Sequence, residues 1–457
     1  MRLRRTLIVW GSAMVLVVLT AGGCPKPPST VPPDTGQTAP ASPAPAAANQ
    51  QVAAISPAPQ TEPTQAAPTT REVSTGEASR DWPAFRGARG DGISPLKGIN
   101  KNWNSKPPKV LWQIRMSDRG YAGPSVAEGK VFILDHTGDQ DIVRALDLET
   151  GKDLWTHQYK QPSKYDHGYS HATPVYYDGR LYTLGRLGTL NCLDVRSGSK
   201  LWSVDLASDL KGKHPTWGYA GPPIIDGEKL VVGTGGTAGL AALDRKTGKV
   251  LWTGGVGGLA GYGPPVKATI SGKAQYVVFG GSCVYGVDVA SGKTLWQTPW
   301  STSYDVNAST PVVAGNSVFI TSGYGTGCEL VKVSGAQAEV AWRNKDIQSH
   351  FNSPVYLDGY LYGTSDPGNL VCMSIKDGRV AWKQSGFEKG GVAAVDGTIV
   401  AVDGKGGDVV MVSASPSGYK ELGRFKPLGG QSWSPPVIAE GKLLIRNTTA
   451  LACLDLK

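Results

Sequence analysis

One signature constrains this chain more than any other: Asp-x-x-Thr/Ser-Gly with a tryptophan four residues further on. It reads Asp147 to Gly151 with Trp155, Asp194 to Gly198 with Trp202, Asp244 to Gly248 with Trp252, and Asp288 to Gly292 with Trp296. Degenerate copies end at Trp342 and Trp382, and Trp112 precedes the series. Successive tryptophans lie 43, 47, 50, 44, 46 and 40 residues apart. In β-type sequence, such a period means stacked supersecondary units and not one continuous sheet.

A second marker counts the units. A small residue and proline, then a short apolar run and usually an Asp/Glu-Gly turn, stand at Gly123-Pro124, Thr173-Pro174, Gly221-Pro222, Gly263-Pro264, Thr310-Pro311 and Ser353-Pro354. A proline-free copy runs from Gly391-Val392 to Asp396-Gly397, and the eighth from Pro435-Pro436-Val437 to Glu440-Gly441. The eighth stops at Leu454-Asp455-Leu456 without a last strand, whereas the Lys109 to Ile114 strand has no unit before it. Pairing the two closes a ring and removes two open sheet edges. The fold class is therefore all-β: an eight-bladed β-propeller of four-stranded antiparallel blades, closed by its N-terminal strand.

Within one unit the strands are read at 173–177, 180–184, 189–194 and 200–204, with glycine supplying positive φ in the hairpin turns. The repeated aspartate is expected to accept backbone N–H groups of its own turn. The tryptophan is expected to fill the gap between neighbouring blades.

The first residues set the compartment. Arg2, Arg4 and Arg5 precede the apolar run Leu7 to Leu19, which ends in Thr20-Ala-Gly-Gly-Cys24. This resembles a bacterial lipoprotein signal, with Ala21 where a leucine-like residue is usual. It implies removal of residues 1–23, a lipid on Cys24, and membrane attachment through that lipid. Pro25 is not the inner-membrane retention aspartate, which points to the outer membrane. Residues 24–80 are rich in Pro, Ala, Thr, Gln and Ser, too poor in apolar surface to fold, and read as a tether. Residues 81–108 form a leader expected to dock on the propeller of residues 109–457. The formal net charge of +9 falls to +6 without the three signal arginines, and no polybasic run marks nucleic-acid binding.

Cys192, Cys372 and Cys453 share one repeat slot that elsewhere holds Ala or Gly, as buried free thiols would. Cys283 and Cys328 fall at nearly matching positions in adjacent units, which leaves a disulfide open.

The stretch Ala145-Leu-Asp147-Leu-Glu-Thr-Gly151-Lys-Asp-Leu-Trp155 resembles the tryptophan-docking repeat of pyrroloquinoline quinone (PQQ) dehydrogenases. The BamB-type outer-membrane assembly lipoproteins, which are not enzymes, share that repeat. The dehydrogenase resemblance implies PQQ, a calcium ion held by acidic and amide side chains, and commonly two adjacent cysteines. No two cysteines are adjacent here, and no Cys-x-x-Cys-His haem site exists. The leading expectation is a non-catalytic, lipid-anchored envelope scaffold with a protein or peptide partner, a monomeric propeller and no cofactor. Two alternatives stand beside it. One is a PQQ-dependent dehydrogenase with Asp305, Asn307, Glu329 and Asn352 as calcium or base ligands. The other is a carbohydrate-binding surface lipoprotein.

The connections between blades carry the candidate site. Four of them place aromatic residues shortly before the next strand, at Tyr121, Tyr169 with His171, Trp217 with Tyr219, and Tyr262; the next three markers are Asn307, Asn352 and Trp433. These nine residues read as a ligand- or partner-binding rim, with Lys164, His167, Lys211, Lys213 and His214 as flanking cations. The alternative is that each aromatic packs inside its own repeat. No metal site is assigned: His167 and His171 lie in a Gly/Tyr/Ser loop, and Asp135, Asp139 and Asp141 lack EF-hand spacing.

Overall fold

The computed structural model describes residues 80–162 and 168–457. Lys164, His167, Cys24, the signal and all of the tether but Arg80 lie outside them. Eight antiparallel sheets follow one another along the chain. Blades 1 to 7 span residues 125–160, 175–205, 224–254, 266–299, 312–344, 355–385 and 392–425. Blade 8 takes three strands from 437–455 and its fourth from Val110–Arg115, which pairs with Ala450–Asp455 and sets Trp112 opposite Cys453. The ring is closed as the sequence implies. In blade 2 the strands are Val175–Tyr177, Arg180–Leu184, Thr189–Asp194 and Lys200–Asp205, within two residues of the expected bounds.

The repeat signature is a joint between blades. Asp147 Oδ1 accepts the Thr150 N–H at 2.8 Å and its hydroxyl at 2.7 Å, fixing the turn. The tryptophan of the preceding blade then lies on that turn's glycine and donates to a backbone carbonyl beside it. Trp112 reaches Leu148 O at 2.9 Å, Trp155 reaches Val195 O at 3.0 Å, and Trp202 reaches Arg245 O at 3.2 Å. A Cβ on Gly151 would sit 2.7 Å from the Trp112 ring, so the signature needs glycine for space as well as for its φ of +70°. Trp296 faces blade 5, whose turn lacks the signature, and bonds instead to Gln275 Oε1 in its own blade at 2.5 Å. Cys192, Cys372 and Cys453 are buried opposite Trp202, Trp382 and Trp112, and the described cysteines are free, Cys283 and Cys328 included.

First strands of neighbouring blades touch one another in blades 1 and 2, 6 and 7, and 7 and 8, so these strands line the axis. Into that channel the leader inserts as a finger. Glu440 N–H donates to Arg80 O at 3.1 Å in the turn after blade 8's first strand. Trp82 then exchanges hydrogen bonds with Val126 of blade 1 at 2.9 and 2.8 Å, and Tyr176 N–H of blade 2 reaches Pro83 O at 2.8 Å. The chain reverses over Arg86 to Gly92, and Ile93–Ser94 runs parallel to the first strand of blade 7, pairing with Ala394 and Val395. Contact with so many blades at once is possible only from the axis.

Arg86 locks the reversal. Its guanidinium is buried and donates to Ser353 O and Pro354 O at the head of blade 6, each at 2.7 Å, and to Asp91 O at 2.8 Å. The finger departs past Asp396, which accepts Gly98 N–H at 3.0 Å from the turn after blade 7's first strand. It therefore enters and leaves by the end of the channel opposite the inter-blade connections. Trp82, Leu96, Ile99 and Trp103 join the apolar core of blades 1, 7 and 8.

Candidate functional site

At the other end of the channel each of the eight inter-blade connections presents one large side chain to its neighbours. In ring order these are Tyr121, His171, Trp217, Tyr262, Tyr304, Phe351, Lys389 and Trp433. Ring contacts run almost unbroken among them. Tyr121 stacks on Trp433 with centroids 5.1 Å apart and an 18° tilt, and meets His171 at 5.8 Å. Trp433 meets Phe351 at 4.6 Å, Phe351 meets His350 at 4.2 Å, and His350 meets Tyr324 at 4.4 Å. Tyr324 meets Tyr304 edge-on at 5.6 Å; Trp217 then bridges Tyr304 at 6.0 Å and Tyr262 at 6.3 Å. Lys389 places its ammonium 5.7 Å from the Trp433 ring and 5.9 Å from that of Phe351. Among the described residues the chain of rings is interrupted between His171 and Trp217.

The crown is held in costly backbone conformations. Among the described residues, six of the twelve non-glycine positions with positive φ sit in the hairpin turn after a first strand, where such geometry is ordinary. Tyr304 at +62°, Asp305 at +55°, Tyr324 at +55° and Lys389 at +49° are not of that kind. Left-handed backbone costs an L-residue roughly 1–2 kcal/mol. Bulky residues kept there at 46% and 39% exposure, as Tyr304 and Tyr324 are, mark a surface shaped for something other than stability.

The nine sequence-picked residues divide. Tyr121, His171, Trp217, Tyr262 and Trp433 are in the crown. Tyr169 stacks flat on His136, 4.0 Å away with a 2° tilt, and packs beneath the rim. Three are corrections. Tyr219 is 2% exposed and spends its hydroxyl on Thr234 O at 2.7 Å, because its long connection folds back and Trp217 takes the outward position. Asn307 is fully buried and donates to Gly280 O and Gly281 O at 2.8 and 3.0 Å. Asn352 is 4% exposed and ties Lys389 O to Trp433 O at 3.1 and 3.0 Å, bracing the crown from behind. Sequence reasoning missed Tyr304, Tyr324, His350, Phe351 and Lys389.

The residues proposed for calcium do not fit that ion. Asn307 and Asn352 are engaged as described. Glu329 is buried against Arg343, whose Nε donates to it at 2.8 Å, and Asp305 lies on the exposed turn with Tyr304. Among the described residues no group of three His, Cys, Asp or Glu side chains is placed to hold a metal.

A ring of eight four-stranded blades, seven of them carrying the repeat tryptophan, around a plugged channel defines a propeller of the PQQ-like repeat class. A family model described as outer membrane protein assembly factor BamB matches residues 102–165 and 139–384, and the chain belongs to that family. It is 24% identical over 341 residues to the outer membrane protein assembly factor BamB of Moranella endobia, spanning 69% of this chain and 74% of that protein. The dehydrogenase subunit of the quinone alcohol dehydrogenase from Gluconacetobacter polyoxogenes is 30% identical over 173 residues, but the match spans 35% of this chain and 23% of the enzyme. Among solved structures, BamB from Moraxella catarrhalis superposes with a TM-score of 0.56 at 17% identity, over 76% of this chain and 99% of that one. The quinohemoprotein alcohol dehydrogenase of Comamonas testosteroni gives 0.62 at 14% identity, over 82% and 80%. At such identities the structural likenesses speak for the fold alone.

Proposed function

We propose that this protein is a lipid-anchored scaffold of the cell envelope, held to the outer membrane through Cys24, which docks a protein of the outer-membrane assembly machinery on its aromatic crown. The observation that carries this reading is the crown itself, with one ring or cation from every connection and its exposed members in strained backbone. Tyrosine and tryptophan supply broad, rigid, amphipathic contact at low entropic cost, and they dominate protein interfaces. Of the eight crown side chains named above, Lys389 is the one drawn from lysine, glutamate and aspartate, which interfaces avoid at their centres. The finger fills the channel below, so a partner would meet a cup and not a pore. Family membership and the BamB relatives support the assembly role.

The test uses lipidated, detergent-solubilised protein and β-barrel assembly machinery purified from cells lacking it. Saturable association is expected, weakened about tenfold or more by Trp433→Ala. Leu154→Ala, on the outer wall, should leave it unchanged. Absence of association at micromolar concentrations would end the assembly reading.

A further inference from the structure

Between blades 4 and 5, outside the crown, lies a pocket of about 230 Å³ lined by Ser282, Pro299, Trp300, Ser301, Thr326 and Arg343. Its walls are built with unusual care. Trp300 is 3% exposed, and its Nε1 donates to Ser322 Oγ at 3.0 Å. That hydroxyl in turn donates to Asn307 Oδ1 at 2.9 Å. Asn307 also grips the Gly280-Gly281 turn that leads into Ser282. Arg343 lies over the Trp300 ring with its guanidinium carbon 5.3 Å from the centroid.

The orientation of Arg343 is imposed from below. Glu329 lies directly opposite it on the neighbouring strand and is 0% exposed, while Arg343 is 55% exposed. Nε and Nη2 both donate to Glu329 Oε2, and Oε1 has no partner. A carboxylate so buried is expensive. At the same strand position five other blades carry Asn191, Ala241, Val371, Val410 and Ala452. A blade can thus be built here without a buried acid, so Glu329 is present for what it does to Arg343.

A guanidinium has five N–H donors in a fixed fork. Two are spent on Glu329, which leaves the outer Nη1–Nη2 edge open on the pocket side of the strand pair. That edge matches the two oxygens of a carboxylate or phosphate. Ser282, Ser301 and Thr326, each carrying a hydroxyl, line the same space. The two loops that wall it, 300–305 and 323–326, also carry the positive-φ residues Tyr304, Asp305 and Tyr324.

We propose that this blade 4–5 pocket is an oxyanion site, binding a carboxylate or phosphate group through the outer edge of Arg343. Glu329 acts as a positioning residue and the three hydroxyls complete the shell. The site is independent of the crown; either reading can fail without the other.

The test is nuclear magnetic resonance of the mature lipidated chain in micelles, with isotope-labelled arginine, titrated separately with inorganic phosphate and with benzoate. The Arg343→Lys variant identifies the Arg343 signal by its loss. Saturable movement of that signal is expected with at least one probe, while the signal of Arg379, 87% exposed in the blade 6 turn, stays still. Response to phosphate alone assigns a phosphate group, and response to benzoate alone a carboxylate. By calorimetry with the responding probe, Arg343→Lys should weaken binding about tenfold or more, because an ammonium has no fork. Glu329→Gln, which preserves shape, should weaken it severalfold. If neither probe moves the signal, or if Arg343→Lys binds like the parent, the proposal is overturned.

Discussion

Replacing Arg86 with methionine tests the finger that closes the channel. The substitution keeps an apolar stem and removes a buried guanidinium that donates to carbonyls of Ser353, Pro354 and Asp91 at 2.7 to 2.8 Å. A hydrogen bond from a charged donor contributes ~1.5–3 kcal/mol. The two that cross to blade 6 are the ones that hold the finger to the ring, giving ~3–6 kcal/mol. Burial works against this sum and pulls the Arg86 pKa down to about 10, so part of it is taken back. The lower end, about 3 kcal/mol, means finger opening on the order of a hundredfold more frequent. Hydrogen exchange reads this directly at Ala394, Val126 and Tyr176, whose N–H groups donate to Gly92, Trp82 and Pro83 of the finger. These amides should lose about two decades of protection while Val277 in blade 4 loses none. Protection kept within about threefold at all three would refute the assignment of Arg86 as the lock.

Three further outcomes follow from the same geometry. Gly198→Ala should cost roughly 2–4 kcal/mol in denaturant unfolding, since its Cβ would lie 2.5 Å from the Trp155 ring at a φ of +72°. Tyr304→Gly relieves left-handed strain, so the melting temperature should hold or rise, by up to ~1 kcal/mol of stability, while association with the assembly machinery falls. His136 is buried, which lowers its pKa, but hydrogen bonds to Asp141 at 2.9 Å and Gly138 O at 2.6 Å outweigh burial and raise it overall. The folded state therefore binds this proton more tightly than the unfolded chain. The stability it contributes is complete below the unfolded value of about 6.5 and is lost as pH rises through the folded one. Melting temperatures across that window should fall for the parent and lose this part of the slope in His136→Gln.

What was legible in the sequence had a local cause. The Asp-x-x-Thr/Ser-Gly turn and its tryptophan recur because the joints that carry them use the same carboxylate acceptor and the same space over glycine, so with the small-residue and proline marker before each blade, blade number and closure could be read by counting. The crown could be read where an aromatic stands a few residues before the proline, as Tyr121, Trp217, Tyr262 and Trp433 do. Asn307 and Asn352, in the corresponding stretch of later connections, turned out to be braces. Tyr304, Tyr324 and Lys389 are brought into the crown by left-handed backbone that no composition reveals. Arg86 and the Trp82 pairing show why the finger was visible only as a leader: its partners are remote in the chain, on blades 1, 2, 6, 7 and 8. Of the Glu329–Arg343 pair the sequence offered Glu329 only as one of four calcium or base ligands, and the meaning of the pair depends on register across two strands.

The central claim is that the crown is the docking surface, and photocrosslinking in living cells tests it most directly. A photoreactive amino acid placed singly at Tyr304, Phe351 and Trp433 should capture one and the same outer-membrane assembly protein. The same group at Leu154 or Leu201, exposed on the outer wall, should capture none. Crosslinks from the wall and none from the crown would contradict the account.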